Sequence, residues 1–233
     1  MLRLLGSAAL AAVVAALCAS PGGAARSSCR AVTAATSTAG QLVTVAAPQA
    51  RSTHATLRLW QRDGDCWLPV AKPWPARIGA NGLSAHHREG DGTTPTGAFG
   101  FGPVVYGVGP NPGVHYGYHR LVCGDWWDED PSSPGYNTFR HVGCSARPGF
   151  GAGSEALWRS PRAYRHFALI DYNVDPALPG KGSAIFLHAD IGMATNGCVS
   201  LALPALVRVL RWLRPAQTPL ILIGTRAQLA PYS

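Results

Sequence analysis

IFLHADIGMATNGCVSL, residues 185–201, begins as an apolar run that ends in His188 and leads to a cysteine directly after Gly197. A short apolar run bounded by turn residues is typical of a buried strand. Two similar runs lie nearby in the chain, RHFALIDYN at 165–173 and TPLILIG at 218–224. Together these three runs predict a β-rich domain.

Strand patterns also precede this region. QLVTVAA at 41–47 alternates in part, and ATLRLWQRDGDCWLPV at 55–70 predicts two strands joined at an Asp-Gly turn. EGDGTTPTGAFGFG at 89–102 is rich in turn residues and then strand-like. Residues 107–163 hold many Gly, Pro, Asp and Ser, which predicts long loops with short helical pieces.

One helix is evident near the C-terminus. Its apolar residues fall at helical spacing and are Leu203, Leu206, Val207, Leu210 and Leu213. They predict a helix over about 203–214, with Pro204 in its first turn and Pro215 just beyond its end. The predicted fold is therefore mainly β, with a single β-rich domain over 51–230 that has a short C-terminal helix followed by a closing strand.

The N-terminus, MLRLLGSAALAAVVAALCAS, has one early basic residue, Arg3, and then a long apolar run. Gly23 and Ala25 are small residues at the spacing of a cleavage site. This pattern predicts a secretory signal peptide over 1–25, and an uncleaved anchor helix is the alternative. We expect an exported protein, secreted or associated with the cell wall, with an arm or linker over 26–50 and no stable membrane span in the mature chain.

The charge balance narrows the partners. The formal net charge is +8 at pH 7. Without residues 1–25, which hold one base and no acid, it is 8 − 1 = +7, which favours retention by acidic cell-wall polymers. No run of five or six basic residues occurs and the aromatic residues are not interleaved with bases, so nucleic acid is not expected as a partner. Charged residues make up only 14% of the chain, which argues against a disordered chain or a coiled coil.

Cysteine usage predicts two disulfides and one free thiol. If Cys18 leaves with the signal peptide, five cysteines remain, an odd number for an oxidising compartment. Any of the five can be the unpaired one by count alone. Proximity in sequence favours Cys29 with Cys66 and Cys123 with Cys144, which leaves Cys198 free.

Two alternatives concern the middle of the chain. His119 and Cys123 with His141 and Cys144 have spacing that also suits a zinc site, although an exported protein favours the disulfide. DWWDED, at 125–130, is either a site for cationic groups or calcium, or a solvated loop with two packed indoles.

The adjacent pair His86 and His87 is expected at the surface, with no role assigned to either residue.

Cys198 and His188 form the strongest chemical candidate. A thiolate is the nucleophilic form of cysteine and needs a base or a positive environment. The glycine-containing loop after His188 can return the chain so that the two side chains meet. Backbone N–H groups of Gly197 and Cys198 can then stabilise an oxyanion. The alternative is a buried free cysteine with a core histidine nearby.

This stretch resembles the catalytic signature of the L,D-transpeptidases, the YkuD-type domain. That signature is a strand ending in His, a loop, and then Ser/Thr-x-Gly-Cys-Val/Ile, and here it reads IFLH followed by TNGCV. EGDGTTPTGAF, at 89–99, also resembles the strand entry of the family, Gly-x-x-x-Thr-Pro-x-Gly-x-Phe. The two motifs occur in the order expected of the family, and the resemblance covers roughly 55–225.

The resemblance implies a β-rich catalytic domain that acts on peptidoglycan stem peptides. Such enzymes form an acyl-enzyme on cysteine, release a D-amino acid and pass the acyl group to an amine of a neighbouring stem. By position, Cys198 is the nucleophile and His188 the general base, and the amides of Gly197 and Cys198 supply the oxyanion hole. No metal and no organic cofactor are expected.

Departures from the family pattern affect the substrate rather than the Cys–His pair. Asn196 stands where many members have a second His, and Ser200 where many have Arg or Asn. Asn196 and Ser200 are therefore candidates for the substrate pocket. Thr195 is a further candidate because it adds a polar group beside the cysteine, and the resemblance implies that the upstream Tyr172 places its hydroxyl near the site. Since Ala189 follows the histidine, a backbone carbonyl is expected to orient the imidazole. Water as the acceptor would make the protein a carboxypeptidase or thiol hydrolase, and an inactive wall-binding member of the fold is a further alternative.

Overall fold

A computed structural model describes residues 29–151 and 153–232. The predicted signal peptide, residues 1–25, lies outside the described residues. Strands dominate the described part of the chain, which also holds one α-helix. In this part no helix has the length and apolar character needed to cross a membrane.

The strands and the helix are, in chain order, β1 (Arg30–Ala31), β2 (Gln41–Ala47), β3 (His54–Asp63), β4 (Cys66–Pro69), β5 (Trp74–Arg77), β6 (Leu83–Ser84), β7 (Thr94–Pro95), β8 (Gly97–Phe99), β9 (Phe101–Gly107), β10 (Gly117–Arg120), β11 (Asp125–Asp128), β12 (Thr138–His141), β13 (Glu155–Ala156), β14 (Phe167–Ile170), β15 (Phe186–Ala189), β16 (Val199–Leu201), α1 (Leu203–Trp212) and β17 (Leu220–Thr225). Most of them join one large sheet. Its order is β10-β9-β14-β15-β16-β5-β3-β2-β17-β8, with β1 paired to β4 and β4 to β3. The fold is thus mainly β with one helix and a closing strand, as the sequence predicts.

The predicted arm over 26–50 is wrong at residues 41–47, because these residues form β2 of the large sheet. β2 pairs with β3 on one side and with β17 on the other, and nearly all its residues are buried. Its apolar residues can be buried on both faces because neighbouring strands satisfy its backbone and core side chains cover it. The folded domain therefore begins before residue 50.

The helix α1 covers nearly the residues predicted from the sequence, but its buried face differs from the predicted apolar stripe. Of the predicted apolar stripe, Leu206, Leu210 and Leu213 are buried, but Leu203 is exposed and Val207 only half-buried. The buried side chains of α1 are Ala205, Leu206, Val209 and Leu210. The contacts of α1 with β15 and β16 select this face, and sequence spacing does not define that orientation.

Side-chain alternation along β15 separates two cores. Leu187 and Ala189 belong to the core that includes α1. Phe186 points to the other face of the sheet, where it packs with Phe167 and Tyr164 in an aromatic cluster. Since alternate residues of a strand share a face, the same side of the sheet receives His188.

The region at 107–163 contains more order than predicted. β11 lies between β12 and β13 in a separate three-stranded sheet. The predicted loop DWWDED forms β11 in its first part, and Asp125 and Asp128 are fully buried, so it is not a solvated loop. The structure contains the disulfides Cys29–Cys66 and Cys123–Cys144, the pairing favoured from the sequence.

The second disulfide uses both cysteines of the zinc alternative. Its two histidines instead bind one carboxylate: His119 Nε2 lies 2.8 Å and His141 Nδ1 2.7 Å from the oxygens of Asp125. Across residues 29–151 and 153–232, no group of three or more His, Cys, Asp or Glu side chains is arranged to hold a metal ion.

Candidate active site

Cys198 lies directly before β16 and carries the one free thiol among the described cysteines. Its Sγ donates a hydrogen bond to the Ala184 carbonyl oxygen at 3.2 Å and accepts one from the Phe186 N–H at 3.3 Å. Ala184 has a φ of 53°, in the left-handed region that a residue with a Cβ rarely adopts. The start of β15 thus holds the sulfur through an unusual backbone conformation.

His188 lies on the adjacent strand and on the same face of the sheet. The parallel register pairs His188 with Ser200, so the imidazole is a diagonal neighbour of Cys198, two positions along the strand. Its Nδ1 lies 2.9 Å from the carbonyl oxygen of Ala189, the backbone partner expected from the sequence. The Tyr164 ring packs edge-on against the imidazole, with 5.9 Å between the ring centres.

The protonation states follow from burial. Desolvation lowers the pKa of His188, so its imidazole is neutral at neutral pH. Since a carbonyl oxygen only accepts, Nδ1 carries the proton and Nε2 has the free lone pair. Burial strongly raises the pKa of the Cys198 thiol, and the nearby Glu155 and Glu129 add to this effect. The resting site therefore pairs a neutral thiol with a neutral imidazole, and the thiol needs a base to react.

The loop before Cys198 is held by threonine hydroxyls. Thr195 Oγ1 donates to the Cys198 carbonyl oxygen at 2.6 Å and accepts from the Gly197 N–H at 3.2 Å. Thr94 Oγ1 also donates to the Cys198 carbonyl, at 3.3 Å. Gly197 has a φ of 143°, and a Cβ there would lie 3.0 Å from the Thr93 carbonyl oxygen. Only glycine can adopt this φ and also pack this close to the Thr93 carbonyl without strain.

The thiol borders a cavity of about 480 Å³. Its ionisable and polar wall includes His87, Glu89, Glu129, Glu155, Asn196 and Cys198. His188 does not line this cavity, whereas His87, expected at the surface, is buried in its wall.

Burial raises the pKa of two carboxyl groups in the cavity wall, Glu129 and Glu155. Burial, with the charges of Glu155 and Glu89, raises the pKa of Glu129 to about 9. Burial also raises the pKa of Glu155, although a hydrogen bond from the Tyr164 hydroxyl opposes the shift. Glu89 accepts hydrogen bonds from Tyr136 and from Ser183. The thiol thus lies in a poorly solvated pocket in which the Glu129 carboxyl is protonated at neutral pH.

Comparison with protein families matches residues 49–222 to YkuD, the L,D-transpeptidase catalytic domain. The chain belongs to this family. Comparisons with curated proteins and with solved structures gave no match. Members of the YkuD family act on peptidoglycan peptides, and together with two disulfides this indicates a place outside the cytoplasm.

Of the four predicted pocket residues, this L,D-transpeptidase domain brings only Asn196 to the cysteine cavity. Asn196 is exposed and lines its wall. Thr195 is buried and its hydroxyl is engaged by the backbone, so it positions the loop and does not line the pocket. Ser200 is 1% exposed beside His188, because alternation along β16 turns it toward the sheet's aromatic side. Its Oγ has no hydrogen-bond partner within the described chain.

The fourth predicted residue, Tyr172, lines a neighbouring cavity of about 730 Å³. Its hydroxyl donates to the Lys181 carbonyl oxygen at 2.7 Å. Its ring packs edge-on against His87, with 5.3 Å between the centres. His87 therefore lies in the walls of both this cavity and the cysteine cavity of the YkuD domain.

Sequence reasoning missed Asn137, which supports the thiol from a distance. Its Oδ1 accepts from Trp127 Nε1 at 2.9 Å and from the Ala184 N–H at 3.0 Å. Its Nδ2 donates to the carbonyl oxygens of Asn173, at 2.7 Å, and Tyr172, at 3.2 Å. Asn137 thereby fixes the residue whose carbonyl binds Sγ. A lone asparagine in a predicted loop carries no pattern that would reveal such a role.

Proposed function

We propose that this protein is an exported cysteine acyltransferase that acts on peptidoglycan stem peptides and cross-links or remodels the cell wall. The observation that carries the proposal is the free thiol of Cys198, which borders a cavity and lies one strand from a neutral histidine within a YkuD domain. The signal peptide predicted over 1–25 would deliver the chain. Because that segment holds one base, Arg3, and no acid, the delivered chain has a net charge of 8 − 1 = +7, which would favour acidic wall polymers.

The first chemical step is acylation of Cys198. His188 Nε2 takes the thiol proton while Sγ attacks the peptide carbonyl carbon, so that a C–S bond forms. The C–N bond to the D-amino acid then breaks, and the imidazolium returns the proton to the leaving amine. The carbonyl of Ala189 keeps the second ring nitrogen protonated and so holds the imidazole in the basic tautomer.

The oxyanion formed in this step needs donors near Cys198. We propose the N–H groups of Gly197 and Cys198 for this role. In the resting structure the Gly197 N–H binds the neutral Thr195 hydroxyl at 3.2 Å. That distance is at the long end for an N–H to oxygen bond, and a charged oxygen is the stronger acceptor. The Gly197 N–H can therefore shift to the oxyanion as charge develops.

Intact-mass spectrometry with a tetrapeptide stem tests this function. The wild-type mature chain should gain the mass of the acyl tripeptide, and Cys198→Ser should not form this thioester. His188→Gln should keep the fold but acylate about 100-fold more slowly or worse. Transfer to an added amine would support the transferase. Release of free acid despite excess amine would favour the hydrolase, and an unmodified wild-type thiol that still binds wall fragments would favour the inactive binding member.

A further inference from the structure

His87 fills a space left by two glycines at the wall of the cysteine cavity. The residue is 5% exposed. Its Cε1 lies 3.5 Å from the position that a Cβ on Gly197 would take, and its Nε2 lies 2.3 Å from that position on Gly182. Any side chain at 182 would displace the ring. The fold thus places an imidazole against the residue that precedes the nucleophile.

One ring nitrogen of His87 is fixed by Asp91. Nδ1 lies 2.9 Å from Asp91 Oδ1 and 3.0 Å from Thr93 Oγ1. The carboxylate is itself held by the N–H and hydroxyl of Thr93 and by the Arg88 N–H, at 2.7 to 2.9 Å. Burial alone would raise the pKa of Asp91, but these hydrogen bonds lower it overall. Since an ionised carboxylate only accepts, Nδ1 carries the proton.

The other nitrogen, Nε2, is therefore the basic one. In the part of the chain that the structure describes, it has no hydrogen-bond partner, and the residue lines the cavity. Burial lowers the pKa of His87, while the charges of Asp91 and Glu89 oppose this shift. Tyr172 is the other titratable group packed against the ring. The imidazole is thus neutral at neutral pH, and Asp91 stabilises the cation that forms when it takes a proton.

We propose that His87 is the catalytic base for the acyl acceptor, accepting the proton of an amine that attacks the thioester on Cys198. The inference rests on the proposed function and divides the proton transfers between two histidines. His188 does not line the cysteine cavity, whereas His87 lies in its wall beside Gly197, so an acceptor that reaches the thioester through this cavity passes His87.

In the transfer step the acyl group moves from Cys198 Sγ to the acceptor amine, and atoms and charge are conserved. The amine nitrogen attacks the thioester carbonyl carbon, and a C–N bond forms. The C–S bond breaks and its electron pair returns to Sγ. The proton lost by the amine goes to Nε2 of His87, and the imidazolium pairs with Asp91. This proton then passes through solvent to the thiolate, which restores the neutral thiol and the neutral imidazole.

The test separates acylation from transfer. The acyl-enzyme is formed with the tetrapeptide stem and isolated, and its loss is then followed by intact mass in methoxyamine, a weakly basic amine that is unprotonated at neutral pH. His87→Gln should acylate within about threefold of wild type but transfer about 100-fold more slowly. His86→Gln is the matched control, since the adjacent histidine lines only the neighbouring cavity. It should leave both rates unchanged.

Two further readouts distinguish a base from a structural role. The transfer rate of the wild type should rise with pH through an inflection below 6.5, and His87→Gln should lose that inflection. Added imidazole should restore part of the lost rate. If His87→Gln does not fold, Asp91→Asn decides the matter: it should slow transfer at least about tenfold and leave acylation intact.

The outcomes are distinct for the two proposals. If His87→Gln transfers the acyl group as fast as His86→Gln, the role of His87 is overturned and the proposed acyltransferase function still holds. The same conclusion follows if His87→Gln does not fold and Asp91→Asn has no effect on transfer. Equal losses in acylation and transfer, without rescue by imidazole, would also overturn it. No acyl-enzyme in the wild type would overturn the proposed function and this inference together.

Discussion

Glu129→Gln should stabilise the protein in a pH-dependent way. Folding raises the pKa of this carboxyl from 4.5 to about 9, chiefly by burial. Below pH 4.5 both the folded and the unfolded chains hold the proton, so the raised pKa has no destabilising effect. As pH rises from there toward 9, only the unfolded chain releases it, and the folded state loses about 1.4 kcal/mol per pH unit.

At pH 7 this penalty reaches roughly 3 kcal/mol, and glutamine removes it because the amide does not ionise. Urea unfolding of the wild type and the variant at pH 5, 6, 7 and 8 measures the difference in unfolding free energy. Asp63→Asn, at an exposed carboxyl on β3, is the control and should show no comparable trend. A Glu129→Gln difference that stays flat from pH 5 to pH 8 would show that the folded protein does not keep this carboxyl neutral.

Two further substitutions test the support of the thiol. Asn137→Ala should lower the unfolding free energy by roughly 3 to 5 kcal/mol, because the buried donors of Trp127 and Ala184 lose their acceptor. The control is Asn111→Ala in an exposed loop, which should lower the unfolding free energy by less than about 1 kcal/mol in the same denaturation assay. Thr195→Val should slow acylation roughly tenfold to a hundredfold by releasing the cysteine loop, whereas Thr195→Ser keeps the hydroxyl and should stay near wild type. Equal rates for the valine and serine variants would contradict this role.

The sequence predicts strands and helix correctly where an apolar pattern coincides with a buried segment of the structure. The two strands around Gly64, the strands β14 and β15, and the C-terminal helix and strand all appear where the apolar runs lie. The region at 107–163 was harder, because its short strands are stabilised by partners distant in sequence. β11, for example, pairs with β12 and β13 on either side. No local periodicity in a chain of turn residues encodes such pairing.

The residues of the candidate site likewise fall into those that the sequence identifies and those whose placement only the structure shows. Cys198 and His188 could be named from their spacing, and register places them on one face of the sheet as diagonal neighbours. The sequence predicts Thr195 as a pocket residue from its polar group in an apolar context, and Ser200 from its departure from the family pattern. The structure buries both, since alternation and backbone hydrogen bonds decide where a side chain points.

The sequence by itself determined the long apolar strands, the C-terminal helix and the cysteine motif, because each depends on short-range pattern, and it favoured the disulfide pairing that the structure contains. Only the tertiary structure decided what surrounds the thiol. His87, Glu129 and Asn137 come from segments far from Cys198 in the chain, and they meet it, or support it, through packing of separate sheets and loops. Burial then shifts the pKa values of His87 and Glu129, and burial is a property of the assembled fold.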